Sequence, residues 1–117
     1  MVLGMVSESV TSQWLRGVTD LVVLACLEEQ PNYGYALLEH LLARGLQPIR
    51  EATVYAALRR LEGDGLCSSS LVASGSGPAR RYYQLTATGR AQLTTLRAQW
   101  SRFSAAVTAV TEGDQHG

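Results

Sequence analysis

Six apolar side chains near the C-terminus, Leu93, Leu96, Trp100, Phe103, Val107 and Val110, recur at steps of 3, 4, 3, 4 and 3. That spacing is an a/d seam on one helix, capped by Thr86 and running from about Ala87 to Thr111. At 1.5 Å per residue such a helix is roughly 37 Å long. A chain of 117 residues offers too small a body to bury the whole seam. The six seam residues are therefore expected at an interface, and the simplest partner is a second copy in a two-fold homodimer.

A second stretch, Arg50 to Leu66, carries the chemistry. At 100° per residue, Val54, Ala57, Leu58 and Leu61 fall on one side of a helix. Ala52, Tyr55, Ala56 and Arg59 fall on the other, flanked by Thr53 and Arg60. A face of small residues interrupted by a phenol and two guanidinia suits close approach to a nucleic-acid groove. The alanines let backbone come near base edges, and the longer side chains reach phosphates or bases. An ordinary amphipathic surface helix has the same apolar stripe, so this segment alone leaves both readings open.

Charge distribution favours the groove. Formal net charge is +0, and all 10 basic residues are arginine. Residues 1–49 sum to −3 and residues 50–90 to +3, so the positive charge coincides with the Arg50 helix and the segment after it. Cys26 and Cys67 lie in apolar runs without metal-ligand spacing, and both are expected as buried thiols. His40 and His116 are isolated, so neither a metal site nor a cofactor is expected. There is no Ser-His-Asp arrangement, phosphate-cradling loop or paired carboxylate to suggest an enzyme. No signal peptide or membrane span is apparent, and the chain reads as cytoplasmic.

Taken in order, residues 1–10 read as a flexible N-terminus. Ser9, Thr11 or Ser12 would cap a helix to about Glu29, with Trp14, Leu15, Val18, Leu21, Val22, Ala25 and Cys26 inward and Gly17 permitting a bend or close crossing. Gln30-Pro31-Asn32 breaks that helix. A second spans roughly Tyr33 to Arg44, with Leu37, Leu38, Leu41 and Leu42 inward and Gly45 as its stop. Helix, short connector and Arg50 helix make a helix-turn-helix with the second helix as reader. Leu66–Val72 and Ala79–Leu85 form a hairpin whose loop is Ala73–Pro78, a wing presenting Arg80 and Arg81 to phosphates or the minor groove. The expected fold is mainly α with a small β-hairpin: a winged helix-turn-helix over residues 11–85, a dimerisation helix over 86–112 and a flexible tail over 113–117.

Three segments, GYALLEHL, EATVYAALRRLEGDGL and GPARRYYQLTATGRAQL, together resemble the PadR family of winged-helix transcriptional regulators. The likeness spans about Leu21 to Trp100, and the short C-terminal helix is similar to the family's small subgroup. It implies a dimer on an inverted-repeat operator in double-stranded DNA, acting as a repressor. The DNA contacts it implies are Tyr35 in the second helix, Thr53, Tyr55 and Arg59 on the reader, and Arg80 and Arg81 on the wing. Arg50 stands where relatives carry a small polar cap, and Ala56 where many carry proline.

In some members of that subgroup planar hydrophobic drugs, often cationic, sit between the terminal helices, stacked by tryptophan. The resemblance assigns that role to Trp100, with Leu96, Phe103, Ser104 and Trp14 around it. Against it stands Trp100 as a packed knob with no cavity, and no acidic residue lies in the seam to pair with a cation. A winged helix that binds protein instead of DNA is the other functional class a neutral chain permits.

Overall fold

The computed structural model describes residues 3–113, with side chains from residue 10 onward. Of the flexible ends expected at 1–10 and 113–117, residues 1–2 and 114–117 lie outside the described residues, and residues 3–10 belong to a helix. The element order is α1 (Leu3–Glu29), β1 (Asn32–Tyr33), α2 (Gly34–Ala43), α3 (Glu51–Gly63), β2 (Cys67–Ser74), β3 (Gly77–Leu85) and α4 (Ala87–Thr111). This is the winged-helix arrangement expected, mainly helical with a small antiparallel sheet. Helix α1 already runs from Leu3, upstream of the caps expected at residues 9–12.

Helices α2 and α3 end by the same device. Gly45 and Gly65 adopt φ of +98° and +77°, a conformation that costs glycine little and other residues more. The amide of Leu46 reaches back to the Leu41 carbonyl and that of Gly45 to Leu42; Leu66 and Gly65 repeat the pattern on Leu61 and Glu62. These paired bonds satisfy carbonyls that the helix would otherwise leave open. At the other end of α3, Arg50 occupies the N-cap with no side-chain cap bond, whereas Thr86 caps α4 by accepting from the Gly89 amide at 2.9 Å. Asn32 does not cap α2; its side-chain oxygen accepts from the neighbouring Tyr33 amide, and Tyr33 is the N-cap residue.

The sheet has three strands in the order β1-β3-β2, one more than the hairpin alone. Asn32 and Tyr33 pair with Tyr83 and Tyr82, so the break after α1 doubles as an edge strand. Two residues give no alternation to read, which is why this strand was not expected. The hairpin pairs Cys67 with Leu85 through to Ser74 with Gly77, with a bulge between Val72 and Ser74, so its loop is shorter than Ala73–Pro78.

Val23, Leu24, Leu27, Leu37, Leu41, Val54, Ala57, Leu58, Leu61, Cys67, Tyr83 and Leu93 form one core between α1, α2, α3 and the sheet. All four residues expected inward on α3 are there, and Leu37, Leu38 and Leu41 on α2. Helix α1 keeps only part of its expected inner face: Leu15 and Cys26 are buried as expected. Val23, Leu24 and Leu27 face the core, while Val18, Leu21, Val22 and Ala25 are only partly covered and Trp14 is 69 % exposed. The run LVVLACL is apolar on every side, so its periodicity fixes no face. Both cysteines are buried and free, and desolvation raises each thiol to about 11, far above neutrality.

Leu93 corrects the expected seam. Its exposure is 0 %: it is the peg by which α4 enters the chain's own core, with no surface left for an interface. Leu96 is half-buried against the same core. Beyond it the seam is open, with Phe103 65 % and Val110 81 % exposed. Helix α4 packs against α1, and Arg97 holds Glu28 at 2.7 Å.

The root of α4 is pinned to the end of α3. The Thr86 amide donates to the Leu66 carbonyl, and the Thr86 hydroxyl to that of Gly65 at 2.7 Å. A Cβ added to Gly89 would lie 1.8 Å from the Leu66 oxygen. Gly89→Ala therefore has to push α4 off the turn, and should destabilise the protein by about 3 kcal/mol or more. Gly17→Ala, where a Cβ meets nothing within 4 Å, should instead stabilise by about 0.5–1 kcal/mol through helix propensity. Urea denaturation midpoints of the two variants check the opposite signs.

Candidate nucleic-acid interface

With Val54, Ala57, Leu58 and Leu61 facing inward, the side of α3 opposite the core presents Ala52, Ala56 and Arg59. Arg59 is exposed and makes no ion pair or hydrogen bond among the described residues. Thr53 and Arg60 stand on the flank toward α1, and Tyr55 on the flank toward α2.

Tyr55 is less available than the sequence implied. It is half-buried, and its ring lies over the first turn of α2, where a Cβ on Gly34 would come within 2.4 Å of Cε1. The Gly-Tyr pair at 34–35 thus has a physical meaning. Gly34 leaves room for the reader's phenol, and Tyr35, 55 % exposed, opens α2 at the surface.

Arg60 is also committed, bonded through Nη2 to the Asp20 carboxylate of α1. Around that pair a shallow cleft runs between α1 and α3, lined by Arg16, Thr19 and Asp20 on one wall and Ala52, Thr53, Ala56 and Arg60 on the other.

Neighbouring residues on a strand point to opposite faces, so the wing arginines have different surroundings. Arg81 shares its face with buried Tyr83. It donates to the Ser69 hydroxyl at 3.0 Å, and Ser69 donates to Glu62 at the end of α3 at 2.7 Å. Arg80 shares the other face with Tyr82. Its guanidinium sits 5.5 Å from the Tyr33 ring, which meets Tyr82 edge-on at 4.9 Å. Both arginines stay exposed, one tied to the reader helix and one to the β1 edge.

A second, apolar cleft of about 650 Å³ lies between α1 and α4. Trp14, Trp100, Phe103 and Ser104, four of the five residues that the resemblance assigns to a ligand, line it, with Trp100 and Phe103 rings 6.4 Å apart. Leu96 is not among its walls, because it packs toward the core. Gln13, Gly17, Val18, Val107 and Thr108 complete the lining and were not anticipated. A glycine inside a helix with no cap to make was the available signal for Gly17. It forms no close crossing, and its missing side chain leaves space in the cleft wall. Among the described residues no group of three or more His, Cys, Asp or Glu could hold a metal, and no helix is long and apolar enough to cross a membrane.

A reader helix laid across α2, a basic wing and a long tail helix define the winged-helix class of transcriptional regulators. The sequence matches the model of the transcriptional regulator PadR-like family over residues 23–95, and the chain belongs to that family. The family is one of transcriptional regulators and not of enzymes. A PadR family transcriptional regulator from Eggerthella lenta shares 35 % identity and a TM-score of 0.82, covering 95 % of this chain and 96 % of its own. A PadR-like regulator from Bacillus cereus shares 31 % identity and a TM-score of 0.77, over 87 % and 99 %. Bacillus subtilis PadR, solved in complex with operator DNA, has the same fold at 20 % identity and a TM-score of 0.61, over 68 % of this chain and 46 % of that one. An uncharacterized protein of Lysinibacillus sphaericus is 30 % identical over 106 residues, 89 % of this chain and 97 % of its own.

The Gly34–Tyr55 contact is directly testable. Gly34→Ala should cost about 1–3 kcal/mol, because the half-buried ring must leave its seat. Combined with Tyr55→Ala the two losses should fall short of their sum, since one contact is removed twice. Chemical denaturation of the two single variants and the double variant measures the difference.

Proposed function

We propose that this chain is a DNA-binding transcriptional repressor that works as a two-fold homodimer on an inverted-repeat operator. The observation that carries the reading is the face of α3. Helix rotation leaves Ala52 and Arg59 exposed and Ala56 partly covered, with Tyr35 exposed on α2 and Arg80 and Arg81 exposed on the wing. Small residues admit the backbone to a groove, and guanidinia at its margins meet phosphates. That a distant relative of the same fold was solved with operator DNA supports the assignment. In this reading Ala52, Thr53, Ala56 and Arg59 enter the major groove, with Tyr35, Tyr55, Arg60, Arg80 and Arg81 around it. In this reading the site of action is the cytoplasm.

The dimer is argued from area left open. Trp100, Phe103, Val107 and Val110 lie along one side of α4 with large exposures, together with Trp14 of α1. A contiguous apolar stripe of this kind marks an association surface. The cleft that Trp14 and Trp100 share is where a planar hydrophobic effector would enter, releasing the operator by changing how the two copies are set. A tenfold loss of DNA affinity needs a coupling of only about 1.4 kcal/mol.

Three measurements test the proposal. In fluorescence anisotropy with the duplex upstream of its own coding region, Arg59→Ala should weaken binding by about 1–3 kcal/mol. Arg80→Ala with Arg81→Ala should flatten the salt dependence by about two contacts. If the native protein fails to bind that duplex at low salt, the assignment to DNA is wrong. In sedimentation, Phe103→Arg with Val107→Arg should convert dimer to monomer. Titration of planar aromatic cations should quench tryptophan emission in the native protein and not in Trp100→Ala; no quenching by any such compound removes the effector site.

A further inference from the structure

Asp20 is a carboxylate at the margin of a surface otherwise dominated by arginine. It projects from α1 into the cleft beside the reader helix, half-exposed, and its bonded partner is Arg60 of α3. The two residues are 40 apart in sequence and meet only because α3 lies against α1. Arg60 is itself half-exposed, so the pair sits at the boundary of the proposed DNA face.

Arg60 lies about 70° around α3 from the middle of the side opposite the core, at 100° per residue. A guanidinium on so long a stem would reach a phosphate of a duplex lying across Ala52, Ala56 and Arg59. Bonded to Asp20 it is neutralised in place, and a phosphate approaching this flank meets an ion pair instead of a cation. Arg16 stands in the same cleft without an ion pair to Asp20, so the carboxylate is committed to the arginine on the reader.

We propose that Asp20 masks Arg60, and so sets how strongly the reader helix grips DNA irrespective of sequence. This rests on the DNA-binding reading and deepens it: Asp20 is a positioning residue that touches no nucleotide. The masking has a physical rationale. Each phosphate contact releases condensed counterions and strengthens binding at every site alike, whereas contacts to base edges discriminate. Keeping Arg60 out of the count leaves a larger share of the binding to Arg59 and the wing.

The test uses the full chain, a labelled 24-base-pair duplex of random sequence, and anisotropy over a series of salt concentrations. Asp20→Asn, nearly isosteric, should tighten binding about two- to fivefold and steepen the slope of log affinity against log salt by about 0.9, one added phosphate contact. Arg60→Ala should leave an uncompensated carboxylate and weaken binding. The double variant should return to the native slope. An unchanged slope in Asp20→Asn, or equal weakening in both single variants, overturns the proposal and reduces the pair to a strut between α1 and α3. Urea midpoints report whether Asp20→Asn stays folded, and Asp20→Ser serves as the second variant. If the native protein shows no salt-dependent binding to any duplex, the DNA reading falls first. If it binds and Asp20→Asn matches it, only the masking falls.

Discussion

The rotation of α3 about its own axis is fixed by four side chains. Val54 and Leu58 are fully buried and Ala57 and Leu61 nearly so, within a single stripe that meets α1, α2 and the sheet. Burying a Val or Leu side chain is worth roughly 1.5–3 kcal/mol. Turning the helix by one residue would bring Tyr55 and Arg59 toward the core and expose that stripe, at a cost no small domain can bear. Which residues of α3 face outward follows from this constraint, because the outer face is what the stripe leaves over.

Polar contacts then limit how far the remaining side chains can wander. Asp20 holds Arg60, Glu62 holds Arg81 through Ser69, and the Tyr33 ring holds Arg80. Each is a surface contact of small individual worth, so their value lies in orientation more than in stability. Helix α1 joins the two clefts. Arg16, Thr19 and Asp20 line the polar cleft, and Trp14, Gly17 and Val18, on the other side of the same helix, line the apolar one. One rigid rod is thus a wall of both.

Much of this was legible in the residues. The α3 stripe was readable because polar side chains stand opposite it, and the Gly45 stop and Thr86 cap because those residue types have specific roles in ending and starting helices. The α1 phase was not, since LVVLACL is apolar all round. The seam on α4 reads as one line, but sequence does not mark where the body beneath it ends, so Leu93 reads like the open residues. Adjacent arginines on a strand read as a pair until alternation is applied to them. Contacts such as Asp20 with Arg60 and Tyr55 over Gly34 depend on tertiary placement and leave no local signature.

The joint at Gly89 has a mechanical consequence. Because the first turn of α4 rests on the Leu66 carbonyl with no side chain between, the tail leaves the body at an angle set by the turn that closes the reader helix. From Gly89 to Thr111 the rod is about 33 Å long, so a tilt of only about 5° at its root carries its tip through about 3 Å. A displacement too small to disturb a single hydrogen bond at the hinge is therefore, at the far end, about half the roughly 5–6 Å spacing between neighbouring side chains on a helix.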